Sequence, residues 1–157
     1  MHPPLLAGND RGYLIVCGFR RIAACLTLGM THVSARLFRE PPPYSVYAKL
    51  AVADNASQRP LNVVEQSRAA ALIRRFTEKG TDWRAHAAHV GLPDSKAALE
   101  RILPIAEMPE PLQAAIVEGS VALPIALRVH ALKQPDAAAL CSFLRYIKTG
   151  LNIQREL

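Results

Sequence analysis

The sequence predicts an α+β chain: a small α/β domain at about residues 1–78, followed by an all-α domain at about 79–157 that contains a helix-turn-helix. Three observations predict it. Tyr13-Leu14-Ile15-Val16-Cys17 is a short, apolar, β-rich run, and a second, partly alternating run follows it across a helical stripe. Beyond Gly80 the apolar spacing is helical throughout, punctuated by glycine and proline. The charge is also lopsided. Of a formal +6, residues 1–76 hold ten Lys/Arg against four Asp/Glu, while residues 77–157 hold nine against nine. Attraction for anions therefore belongs to the first half, although solubility alone accounts equally well for a charge of this size.

Each element has a local reason. Gly8-Asn9-Asp10-Arg11-Gly12 is a turn signal, and Tyr13–Cys17 reads as a buried strand after it. Ile22, Ala23, Ala24 and Leu26 form the stripe of a helix from Phe19 to Leu28, stopped by Gly29. His32–Phe38 reads as a second strand, so that strand, helix and strand make a small α/β unit. Pro41-Pro42-Pro43 is a rigid connector. Tyr44–Asp54 is helical, with Tyr47, Leu50 and Ala51 inward. Asn62 and Glu65 have capping-box spacing and open a long helix that runs to about 76–79, before Gly80.

In the second half, Asp82 caps a helix over Trp83–Val90 and Gly91 closes it. Asp94 caps the next helix, Ser95–Ile105. A short helix, a tight glycine-containing turn and a second helix make the helix-turn-helix pattern. Pro109, Gly119, Pro124, Pro135 and Gly150 divide the remainder into helices at about 110–118, 123–132 and 136–148. Trp83 and the Leu/Ile stripe of 99–105 read as core.

Several classes are disfavoured. No apolar run approaches the roughly 18 residues of a membrane span, and Met1-His2-Pro3-Pro4 lacks the basic start of a secretion signal. Cys17, Cys25 and Cys141 are odd in number and lack C-x-x-C spacing. They read as buried thiols in a reducing compartment, neither a disulfide frame nor a zinc site. His86 and His89 are spaced i,i+3, but no third ligand accompanies them.

Two stretches carry chemistry. Cys17-Gly18-Phe19-Arg20-Arg21-Ile22-Ala23-Ala24 puts a glycine and two arginines where a strand hands over to a helix. Glycine lets backbone approach phosphate closely, and a helix N-terminus adds partial positive charge. Arginine at that terminus opposes the dipole, and an anionic ligand would explain it. Asp54-Asn55-Ala56-Ser57-Gln58-Arg59-Pro60-Leu61-Asn62 supplies a carboxylate and an amide between two helices. Each has a plainer reading: Arg20-Arg21 as a solvated helix start, Asp54-Asn55 as a helix end, Gln58 and Arg59 as braces of the loop.

Gly18–Ala24 resembles the Gly-Glu-Arg-Arg-x-x-Ala box of ParB-type partition proteins. Asp54–Glu65 resembles their Glu-Asn-x-Gln-Arg-x-x-Leu-Asn-x-x-Glu box, and the helical half resembles their helix-turn-helix half. The resemblance implies a ParB/sulfiredoxin-like N-terminal domain that binds a nucleoside triphosphate, CTP in the family, with Mg²⁺. Gly18, Arg20, Arg21 and Asn55 would face phosphate, and Asp54 would stand near the metal. It further implies DNA and nucleotide as partners, a homodimer, a cytoplasmic, nucleoid-associated location, and a role in chromosome or plasmid partition. Phe19 stands where the family has a glutamate associated with turnover. Phenylalanine neither positions water nor accepts a proton, which leaves at most a weak triphosphatase. The family's upstream segment is absent from this sequence. The related sulfiredoxins have a cysteine at the Phe19 position, so their redox chemistry is not expected.

The expected DNA-reading helix, about 94–105, offers Ser95, Lys96 and Arg101 alongside Asp94 and Glu100. That is a thin supply for phosphate contact and base readout. Two alternatives follow: a transcriptional or mobile-element regulator with a decayed nucleotide site, and a ParB-like nuclease, for which Asp54 is a solitary carboxylate.

Overall fold

The computed structural model describes residues 2–132, 139–140 and 142–143. The α+β expectation holds: a three-stranded sheet is combined with seven α-helices among the described residues. The chain packs as two compact units that are not two consecutive stretches. The first comprises residues 1–60 and 72–92, and the second 61–71 and 93–157.

In the first unit, strand β1 (Leu5–Asn9) turns through Asp10-Arg11 into β2 (Gly12–Cys17). The Asn9 side chain accepts the Arg11 N–H at 3.0 Å, which fastens the hairpin turn announced by Gly8–Gly12. Strand β1 was not expected, because Pro3, Pro4, Gly8 and Asn9 leave only three apolar residues between them. Helix α1 (Phe19–Thr27) follows β2 as expected, but its stripe of Ile22, Ala23, Ala24 and Leu26 is not buried: no residue of the helix is, and Leu26 is 71% exposed.

The strand expected over His32–Phe38 shrinks to β3, Arg36–Leu37, paired parallel to β1 with Leu5 opposite Arg36 and Leu6 opposite Leu37. The sheet order is β2-β1-β3. The physical reason for the shortening lies in β1. Residues before Arg36 would face Pro4 and Pro3, which have no N–H to extend the ladder. The pairing ends where Pro4 accepts the Arg36 N–H at 2.8 Å.

Helix α2 (Tyr44–Ala56) packs against β2. Its buried residues are Ala48 and Val52, while Tyr47 and Leu50 close over the Ala7, Val16 and Cys17 core together with Leu5 and Phe38. Tyr47 lies edge-on to Phe38 at 5.5 Å, and Tyr44 stacks on Phe76 at 5.6 Å.

Helix α3 (Val63–Phe76) opens with the expected capping box. Glu65 N–H donates to Asn62 Oδ1 and Asn62 N–H to Glu65 Oε2, both at 2.9 Å. Reciprocal caps of this kind are worth about 1 kcal/mol. Helix α4 (Trp83–His89) is capped by Asp82, which accepts from the Arg84 N–H at 3.1 Å, and Gly91 closes the turn at φ 81°.

In the second unit, helix α5 (Lys96–Ile102) is capped by Ser95 rather than Asp94: Ser95 Oγ accepts the Ala98 N–H at 3.1 Å. It ends at Ile102, short of the expected Ile105, and a 3₁₀ turn covers Leu103–Glu107. Pro104 has no N–H to offer the Glu100 carbonyl, so the α-helical ladder stops there. Helices α6 (Glu110–Val117) and α7 (Leu123–His130) occupy their expected places. The helix expected at about 136–148, with Cys141, lies largely outside the described residues.

Leu99, Ile102 and Ile105 are buried, as the stripe implied. Gln113, at 5% exposure, is the polar anchor of this unit. Its amide donates to the carbonyls of Ile105 (3.0 Å) and Met108 (2.9 Å), and its oxygen accepts from Arg68. A buried amide so fully partnered fixes the 3₁₀ corner against α6.

Candidate functional site

The site lies wholly within the first unit. Strand β2 runs into Gly18, which caps α1 in the left-handed conformation at φ 92°, ψ 25°. Its carbonyl accepts the N–H groups of Arg21 (3.0 Å) and Ile22 (3.1 Å), so the helix starts at this residue. A Cβ here would lie 3.1 Å from Pro4 Cα and 3.0 Å from Arg21 Nη2. Glycine is therefore required twice, for its backbone angle and for the close approach of the Pro4 chain and the Arg21 guanidinium.

That guanidinium reaches the second motif. Arg21 Nη2 lies 3.7 Å from Asp54 Oδ2, both side chains being largely shielded from solvent. Asp54 and Asn55 sit in the last turn of α2. The Asn55 side chain donates to the Ala51 carbonyl at 2.8 Å, and Ser57 Oγ donates to the Asp54 carbonyl at 2.9 Å. These bonds hold the helix end in shape.

The two motifs face one cleft of about 350 Å³, lined by His2, Gly18, Phe19, Arg20, Arg21, Asp54, Asn55, Ser57 and Gln58. Gly18, Arg20, Arg21, Asp54 and Asn55 are thus brought together across more than thirty residues of sequence. His2 was not anticipated. No local signal marks it; it arrives because β1 pairs beside β2, the strand that leads into Gly18.

The cleft's electrostatics are mixed. Arg21 is partly neutralised by Asp54, whereas Arg20 is exposed and has no ion pair among the described residues. Beneath the cleft, Cys17 donates weakly to the Leu50 carbonyl at 3.5 Å. Burial pushes its thiol pKa up and the Asp54 carboxylate adds to that, against smaller opposing effects of Arg21 and Arg36. Cys17 is therefore a neutral core thiol.

A magnesium ion takes one or two carboxylates plus phosphate oxygens. Asp54 can offer one carboxylate, in competition with Arg21, so the donor set fits the metal only together with a phosphate ligand. Among the described residues, no group of three or more His, Cys, Asp or Glu side chains gathers to hold a metal, in the cleft or outside it.

No family profile and no curated protein sequence matches the chain. Among solved structures, it is similar to the C-terminally truncated chromosome-partitioning protein ParB from Caulobacter crescentus, complexed to the centromeric parS site. The TM-score is 0.50 at 21% identity, over 98% of this chain and 80% of that one. The fold is ParB-like.

Within this ParB-like fold, the residues expected at DNA lie on or before α5 and are all exposed. The Ser95 hydroxyl is engaged as the cap of the helix. Lys96 Nζ lies 3.7 Å from Glu100 Oε1, a solvated i,i+4 pair of small energetic weight. Arg101 stands in the last turn. Helices α4 and α5 belong to different compact units of the chain. No helix among the described residues is long and apolar enough to cross a membrane.

Proposed function

We propose that this chain is a ParB-like DNA-binding protein whose cleft takes a magnesium-bound nucleoside triphosphate, CTP by resemblance. The nucleotide controls DNA binding or homodimer formation, in chromosome or plasmid partition or a related process. One observation supports the reading above others: two motifs that are distant in sequence line a single cleft. The DNA half rests on the similarity to a ParB solved on its centromeric site, and on Ser95, Lys96 and Arg101 as exposed polar residues of the candidate reading helix.

The residues have separable roles. The Gly18 bend and the first turn of α1 offer backbone N–H groups to phosphate. Arg20 supplies unpaired positive charge, and Arg21 exchanges its Asp54 partner for phosphate oxygens. The Asn55 amide orients the ligand, and Asp54 holds the metal, which neutralises phosphate charge when bound. Phe19, 54% exposed on the cleft wall, supplies no proton acceptor, so the site binds and does not efficiently hydrolyse.

The Arg21–Asp54 pair favours a second reading, a DNA-binding regulator whose nucleotide site has decayed, since it occupies both the cation and the carboxylate. Melting curves with each of the four nucleoside triphosphates and Mg²⁺ separate the two. A ligand at 100 times its Kd adds about 2.7 kcal/mol of stability. A shift with one nucleotide that disappears in Arg20→Ala supports the first reading. No shift with any nucleotide supports the second.

A further inference from the structure

We propose that His2 is a ligand-contacting residue of the cleft and makes its affinity for polyphosphate rise as pH falls. The proposal rests on the polyanion reading of the cleft and adds a residue and a regulation to it. Four charged or titratable side chains line the cleft: His2 from the N-terminal segment, Arg20 and Arg21 from α1, and Asp54 from α2. Arg21 and Asp54 lie 3.7 Å apart and largely cancel one another. Arg20 and His2 have no ion-pair partner among the described residues, and both are exposed.

Of the neighbouring elements, β2 contributes Cys17, a neutral thiol, and β3 contributes Arg36, whose backbone N–H bonds to Pro4 two residues from His2. The net charge presented to a ligand is therefore close to one cation when the imidazole is neutral, and close to two when it is protonated. Position favours the role as well. The Pro4 chain lies within 3.1 Å of the Gly18 Cβ site, so the N-terminal segment is held against the phosphate-facing bend. The ligand class is a polyphosphate group, with or without an attached base.

Calorimetric titration of the full chain with inorganic tripolyphosphate and Mg²⁺, at about pH 5.5 and about pH 8, tests this with wild type, His2→Ala and His2→Lys. Protonation of the ligand itself is common to all three proteins and cancels in the comparison. Wild type is expected to gain about tenfold more affinity on acidification than His2→Ala gains. His2→Lys is expected to bind at about pH 8 nearly as tightly as wild type does at about pH 5.5. Equal pH profiles for wild type and His2→Ala overturn the role of His2 and leave the polyanion cleft standing. Absence of binding by wild type at both pH values overturns the cleft reading and this inference together.

Discussion

Gly18 concentrates two constraints at one atom. Its φ of 92° is strained for any residue with a Cβ, and the Cβ would meet backbone at Pro4, which cannot swing aside as the Arg21 guanidinium can. Gly18→Ala is therefore expected to lower unfolding free energy by about 1–3 kcal/mol in urea titrations, and to weaken tripolyphosphate binding in the same protein. An unchanged midpoint would mean that the bend relaxes at no cost. The glycine and the arginines after it were legible in the sequence because their chemistry is local. A flexible hinge before a helix start and two adjacent cations need no knowledge of what folds nearby. His2 was illegible for the opposite reason: nothing in Met1-His2-Pro3-Pro4 suggests a ligand until β1 is paired beside β2.

Helix boundaries followed capping chemistry wherever the cap was unambiguous. The Asn62–Glu65 box and the Asp82 cap both form as their spacing implied. Before α5 two caps compete in adjacent positions, and Ser95 prevails over Asp94 because its hydroxyl reaches the Ala98 N–H. The Asp82 cap has a consequence for pH. Hydrogen bonds from the Arg84 side chain and then its backbone N–H hold the Asp82 carboxyl below its ordinary pKa. A depressed carboxyl stabilises the fold above its unfolded pKa and loses that contribution as pH falls through the folded value. Asp82→Ala is accordingly expected to melt lower than wild type at neutral pH. The gap should close in acid below the ordinary carboxylate range; a gap that persists there would assign the effect to packing instead.

The strand expected over His32–Phe38 shows where periodicity fails. Its alternation is real, but a ladder needs donors on both sides, and Pro3-Pro4 removes them on one.

Across the molecule, charge and packing are distributed differently. The formal excess of +6 lies in residues 1–76, while the candidate DNA-reading helix contributes only Lys96 and Arg101. If these two contact phosphates, Lys96→Ala and Arg101→Ala should each reduce the salt dependence of DNA binding by about one counterion, with little change in sequence preference. Fluorescence anisotropy over a salt series reads this directly. An unaltered slope in both variants would place the phosphate contacts on another surface.

The amino-acid order was sufficient for the α+β class and for most helix starts, since each depends on residues within a few positions of one another. Folding in three dimensions was needed for the rest: that the motifs share a cleft, that Arg21 spends its charge on Asp54, that His2 joins them, and that α3 contributes residues to both compact units. Those facts depend on strand pairing and packing between distant segments, and no local periodicity encodes which segments meet.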